Sequence, residues 1–328
     1  MAASRIGILY RADPLHLHLD ILPEHLETIK RTLPGARVVR ASDEKELVQS
    51  EPDTEVLLTW GMYRPAEFCR VASHLQWIHA LSAGVDGLIT VPELRTRRIR
   101  LTATKGIHGR PIAEHTLAMI LAFARGFHVL RDQQRSKEWT KYLVADEIQG
   151  KTVGILGLGN IGRVVAEKCK LMGMRVVALD IQPVGEKLVD RFYPVRDAVA
   201  LMQESHYVVI TLPLTPETHH LVGEKLLRAM KRGSYLINVA RGQIVDEQAL
   251  TTALKDGWIA GAGLDVFEAE PLPPSSELWN LPNVIISPHM SAISPYYMDR
   301  AIAVFCENLT RFAEGKELLF EINWDTGF

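Results

Sequence analysis

The chain has 328 residues, 47% hydrophobic and 23% charged, which is about two domains at ~150 residues each and far from a disordered, collagenous or disulfide-scaffold composition. Its 37 basic and 39 acidic residues leave a formal charge of −2, so no general field draws it onto nucleic acid or an anionic membrane, and any anion site must be built locally. Cys69, Cys169 and Cys306 are too few and too widely spaced for a disulfide framework or a zinc cluster, and they suit a reducing, cytoplasmic setting.

Residues 6–10 read as a first strand. Arg11 and Asp13 interrupt it too soon for a signal peptide. Segments 38–40, 56–59, 77–79 and 101–103 read as further strands, with 23–32 and 65–73 as helices between them. The basic run 95–100 reads as a solvated loop. Residues 111 to about 139 read as one helix, with Pro111 at its first position and Glu114 in its first turn. Apolar residues nearly encircle this helix, which places it in a core or against another subunit. Its most apolar part, 117–124, is flanked by His115 and Arg125 and is too short to span a bilayer.

A second strand series follows at 152–156, 175–179, 207–211, 235–240, 262–266 and 284–286. Two series of alternating strands and helices imply two parallel sheets, each covered on both faces. A last helix, 299 to about 314, is ended by Gly315. The apolar run 318–320 beyond it is too short for a third domain and is expected to return to the first. The expected division is therefore a discontinuous domain, 1–103 and 295–328, interrupted by a second domain, 104–294.

The most specific local pattern is Gly157, Gly159 and Gly162, with Asn160 and Ile161 between them, placed after a strand and opening a helix. Gly157 permits a tight turn, Gly159 lets amides approach a pyrophosphate, and Gly162 lets the helix pack closely. The phosphates would meet the positive end of that helix. The next strand ends in Asp180, which can accept from both hydroxyls of an adenosine ribose and would repel a 2′-phosphate. Ile181, Gln182 and Pro183 supply no cation to receive one, so NADH is expected over NADPH.

The later strands of this series deliver Leu212 and Pro213, then Arg241, then Asp265 and Glu270, then His289. Ligands of open parallel sheets bind outside the carboxyl ends of the strands, so these residues converge on one crevice. No zinc-ligand set, P-loop or serine-nucleophile elbow occurs. His16 with His18, and His219 with His220, lack partners at metal spacing.

With these motifs in place, the chain resembles the NAD-dependent, D-isomer-specific 2-hydroxyacid dehydrogenase family. The resemblance extends over essentially the whole chain and is densest across 154–292, with 82–86 and 112–116 adding to it. It implies a Rossmann-type doubly wound parallel sheet inserted into a smaller flavodoxin-like α/β substrate domain. It also implies an oxidoreductase that moves a hydride between the nicotinamide and C2 of a 2-keto or D-2-hydroxy acid. Carbonyl reduction builds charge on oxygen. His289 would supply the proton, Glu270 would hold its ring and favour the imidazolium, and Arg241 would clamp the carboxylate and the carbonyl oxygen. By resemblance, amides around Ala83, Gly84 and Val85 complete the carboxylate site. Asp265, Val239 and Ala240 position the carboxamide, and Leu212 and Pro213 line the cofactor cleft.

Departures from the family's common wording at 60–63, 104–109 and 290–297 bear on substrate identity. The expected substrate is a small 2-keto acid such as glyoxylate, hydroxypyruvate or a pyruvate-like acid. Glu270 argues against the formate dehydrogenase branch, and a chain stopping at Phe328 leaves no room for an added regulatory domain. Domain closure and a homodimer through 111–139 are further family expectations. The alternative is an NAD(H)-sensing, co-repressor-like member with little turnover.

Overall fold

A computed structural model describes residues 5–10, 19–141, 145–182 and 187–324. Arg11, Asp13, His16, His18, Pro183 and Phe328, named above, lie outside the described residues. The chain divides into two compact units, Met1–Ile107 with Ile293–Phe328, and His108–Ala292. No described helix is long and apolar enough to cross a membrane.

The first unit is built from β1 (Arg5–Leu9), α1 (Pro23–Thr32), β2 (Arg37–Ala41), α2 (Glu44–Ser50), β3 (Val56–Thr59), α3 (Ala66–Val71), β4 (Trp77–Ala80), α4 (Pro92–Thr96) and β5 (Arg100–Ala103), with a long helix, Tyr297–Ala313, from the returning segment. All its strands are parallel, in the order β2-β1-β3-β4-β5, which is the flavodoxin-like order. β3 and β4 are buried along their whole length, as expected for a sheet covered on both faces.

One polar chain crosses this core. Trp77 Nε1 donates to Thr102 Oγ1 (2.8 Å), which lies 2.7 Å from His79 Nδ1. His79 Nε2 lies 3.1 Å from Thr104 Oγ1, which donates to the Ala80 carbonyl (2.8 Å). Only one proton arrangement satisfies every member: Thr102 donates to Nδ1, and a neutral ring donates from Nε2 to Thr104. Burial enforces that neutrality, pushing the His79 pKa down to about 3.

The basic run is exposed from Arg95 to Arg98, as a solvated segment would be, but only 97–99 is a loop. Its start ends α4, Arg98 turns the chain with φ +53, and β5 begins at Arg100. The Arg97 guanidinium donates to the carbonyls of Cys69 (2.5 Å), Ala72 (2.8 Å) and Ser73 (3.1 Å), closing the end of α3. Arg100 grips Glu321 bidentately. Unpaired carbonyls at a helix end explain why arginine is used here.

The second unit comprises α5 (Gly109–Ala124), α6 (Phe127–Ser136), β6 (Thr152–Leu156), α7 (Asn160–Leu171), β7 (Arg175–Leu179), β8 (Arg191–Tyr193), α8 (Ala198–Glu204), β9 (Tyr207–Ile210), α9 (Glu224–Ala229), β10 (Tyr235–Asn238), α10 (Glu247–Lys255), β11 (Gly261–Leu264) and β12 (Val284–Ile286). The parallel order β12-β11-β10-β9-β6-β7-β8 is that of a Rossmann-type doubly wound sheet, reversing direction between β6 and β9.

The segment 111–139 is two helices rather than one. Gly126, with φ +68, breaks it between α5 and α6. Helix α5 also starts earlier, at Gly109, so Pro111 is its third residue and Glu114 lies beyond the first turn. Pro111 is tolerated there because the first amides of a helix have no internal partner. A Cβ on Gly109 would come within 2.9 Å of Val164 Cγ2, so glycine at the true start allows close packing on α7. Strands β9, β10 and β11 end one or two residues before their expected limits, releasing the residues that form the site below.

Candidate active site

Gly157 leaves β6 with φ +97, a conformation open to glycine at little cost. A Cβ on Gly162 would fall 2.1 Å from the Gly157 carbonyl oxygen, whereas one on Gly159 would meet nothing within 4 Å. The helix therefore presses on the turn at Gly162 and leaves open space at Gly159. No side chain caps α7, so its leading amides at Asn160 and Ile161 remain for an anion. At the end of β7, Asp180 accepts from the amides of Leu158 (2.6 Å) and Ile181 (2.7 Å). Backbone of Leu212 lies close to Gly157, and Thr218 Oγ1 ties down the Pro213 carbonyl (2.7 Å). An open cradle, an uncapped helix and a strand-end carboxylate fit a dinucleotide with its pyrophosphate at the helix start.

Beyond β10, Val239 and Ala240 are buried and Arg241 is half-buried. Asn238 shapes this turn. Its Nδ2 donates to the Arg241 carbonyl (2.9 Å) and its Oδ1 accepts from the Ala240 amide (3.1 Å). The Arg241 guanidinium donates back to the Ala240 carbonyl (2.8 Å). At Gly242 a Cβ would fall 1.9 Å from the Phe267 carbonyl carbon. Glycine thus lets the Arg241 turn lie directly against the loop after β11.

That loop carries Glu270, whose Oε1 accepts from the Phe267 amide (3.0 Å) and whose Oε2 accepts from His289 Nδ1 (2.7 Å). Partial burial acts to raise the Glu270 pKa. The hydrogen bonds from His289 and Phe267, with the charges of His289 and Arg241, outweigh it and hold the carboxyl below its ordinary value. His289 has φ +51. Its amide donates to the Asp265 carbonyl (2.7 Å), and the residues after it are tied to the Asp265 carboxylate.

Arg241, Glu270, His289 and Asp265 are therefore brought to the carboxyl ends of neighbouring strands. Sequence reasoning missed Asn238, and it noted His108 only as a departure. His108 occupies the N-cap position of α5 without a side-chain capping bond, and burial, with the charge of Arg241, pushes its pKa down to about 4. A histidine in the segment entering a buried helix was the available signal. Of the paired histidines, His220 Nε2 lies 2.8 Å from Glu268 Oε1.

In the first unit, the turn at Ala83, Gly84 and Val85 follows β4. Ser82 Oγ donates to the Gly84 carbonyl (2.8 Å) and accepts from the Gly61 amide (3.0 Å). A Cβ on Gly61 would fall 1.9 Å from the Gly84 oxygen, so this turn sits hard against the end of β3. Among the described residues, no acceptor is bonded to the amides of Ala83, Gly84 or Val85.

Residues 117–291 match the family described as D-isomer specific 2-hydroxyacid dehydrogenase, NAD binding domain. A glyoxylate reductase of Thermofilum pendens is 37% identical over 281 residues, 83% of this chain and 82% of that one. A glyoxylate/hydroxypyruvate reductase B of Erwinia tasmaniensis is 40% identical over 245 residues, 73% of this chain and 75% of that one. The crystal structure of a D-isomer specific 2-hydroxyacid dehydrogenase from Xanthobacter autotrophicus, in complex with NADPH and MES, is similar over 100% of both chains, with a TM-score of 0.87 and 30% identity.

Proposed function

The chain belongs to the D-isomer-specific 2-hydroxyacid dehydrogenase family, and from that premise we propose that it reduces a small 2-keto acid with NADH, glyoxylate to the achiral glycolate or hydroxypyruvate to the D-2-hydroxy acid. The observation that carries this reading is the 2.7 Å bond from His289 Nδ1 to a Glu270 carboxylate held below its ordinary pKa. With Nδ1 engaged, Nε2 is the atom that exchanges a proton with substrate. The names of the relatives support the substrate class.

When bound, the nicotinamide supplies the hydride for C2. Arg241 holds the substrate carboxylate and its carbonyl oxygen, where a planar guanidinium suits two acceptors. His289 passes the Nε2 proton to that oxygen as charge develops, and takes it back in oxidation. Glu270 fixes the ring and stabilises the imidazolium. The unengaged amides at Ala83, Gly84 and Val85 are proposed carboxylate contacts of the first unit. Gly157, Gly159, Gly162 and the amides of Asn160 and Ile161 take the pyrophosphate. Val239, Ala240, Asp265, Leu212 and Pro213 line or shape the nicotinamide end.

Asp180 supports NADH, since its carboxylate opposes a 2′-phosphate. The NADPH complex of the Xanthobacter protein makes that preference the point to measure. Helix α6 buries none of its residues and exposes Phe127, and a second copy of this chain is its proposed cover.

The test is a panel of 2-keto acids assayed with each reduced nicotinamide. Glyoxylate and hydroxypyruvate should be turned over, with kcat/KM about tenfold or more higher for NADH. Tight NADH binding with no turnover on any acid would contradict the enzyme reading and favour a nucleotide-regulated binding protein.

A further inference from the structure

The Asp265 carboxylate is fully buried, and a buried charge must be bonded or paired. Its Oδ1 accepts from Ser287 Oγ (2.6 Å) and the Met290 amide (2.9 Å), and its Oδ2 accepts from the Ser291 amide (2.9 Å). The one salt-bridge partner seen for it among the described residues is His115 Nε2 on α5, at 3.9 Å. The same nitrogen lies 2.9 Å from Ser287 Oγ.

The protons in this cluster can be assigned. Ser287 has one hydroxyl proton and spends it on a carboxylate, which only accepts. Ser287 Oγ must therefore accept from His115, whose Nε2 carries a proton. Donation therefore runs from His115 to Ser287 and from Ser287 to Asp265, whose carboxylate also accepts from the two amides that follow His289.

His289 sits at φ +51, a left-handed conformation that is unfavourable for a non-glycine residue and persists only where its surroundings over-determine it. Asp265 supplies that determination on both sides of His289: its carbonyl holds the His289 amide, and its carboxylate holds the next two amides. We propose that His115 is a positioning residue for reduction. It acts through Ser287 and Asp265 to hold the 287–291 loop and with it the His289 ring. This rests on the reading of His289 as the acid–base group.

The test compares His115→Gln, which keeps a donor at a similar reach, with His115→Met, which has similar length and no donor. Both suit a helix. In glyoxylate reduction, kcat should fall about tenfold in the methionine variant and return to within about threefold of wild type in the glutamine variant. The dissociation constant of the reduced nicotinamide, read by its fluorescence, should stay within about twofold in both. In a Ser287→Ala background the difference between the two should vanish, because the link is already cut.

Equal kcat values for the two variants, or a difference that survives Ser287→Ala, would overturn the proposal. Loss of nucleotide binding in the methionine variant would mark a packing role and overturn it too. His289→Asn, measured alongside, separates the two levels. If it keeps the wild-type rate, the acid–base reading and this inference fall together. If it is inactive while the His115 variants match each other, only this inference falls.

Discussion

His79 in the first unit and His289 in the second are both held by short, specific bonds, yet to opposite ends. His79 lies inside a sheet with both ring nitrogens met by threonine hydroxyls, and burial drops its pKa to about 3. His289 stands beyond a strand end with a partly exposed side chain, one nitrogen on a carboxylate and a left-handed backbone. The first arrangement removes every proton-exchange option in the physiological range. The second bonds one nitrogen to a carboxylate and, in the proposed reading, leaves the other for substrate. The same side chain is a neutral core brace or a proposed proton donor according to what surrounds it.

That contrast can be broken by exchanging what each histidine offers. His289→Asn should lower kcat for reduction about 10³-fold while nucleotide binding, measured by fluorescence titration, is retained. Arg241→Gln should lower kcat/KM about 10²-fold by removing a charged donor from the developing oxyanion. A loss confined to nucleotide affinity would place Arg241 elsewhere. Asp180→Gly should reduce the NADH preference about tenfold, and unchanged discrimination in kcat/KM would remove Asp180 from cofactor choice.

His79 gives the smallest effect on rate, with its signal in acid stability. Its folded pKa lies below the unfolded value of 6.5, so the unfolded chain binds the extra proton. Stability contributed by the neutral ring is present above that value and is lost as pH falls from 6.5 toward about 3. His79→Gln should be less stable at neutral pH by about 1–3 kcal/mol and should show a flatter fall in melting temperature across that window. An equally steep fall would place the acid sensitivity in another group.

Legibility in the sequence followed how local each signal was. β3, β6, β7 and β12 stand at their expected limits because each is a short apolar, β-branched run between polar punctuation. The glycine turn was readable because backbone freedom and close approach are demanded of particular residues. The break at Gly126 was not, since one glycine within an apolar helical pattern is often tolerated. β8 is three residues long, too short for periodicity. The clamp made by Arg97 and the chain from His115 to Asp265 depend on partners about 25 and 150 residues away, which no local pattern reports. The order of Arg241, Glu270 and His289 along the chain could be read beforehand, whereas the bonds that shape their loops could not.

The most direct test of the proton-donor assignment is the pH profile of 2-keto acid reduction in wild type and in Glu270→Gln. Glutamine keeps a hydrogen-bonding side chain but removes the carboxylate charge that faces His289 Nδ1, so under this account the profile should shift toward lower pH. A profile that stays in place in the glutamine variant would contradict the pairing of Glu270 with His289 as the acid–base unit.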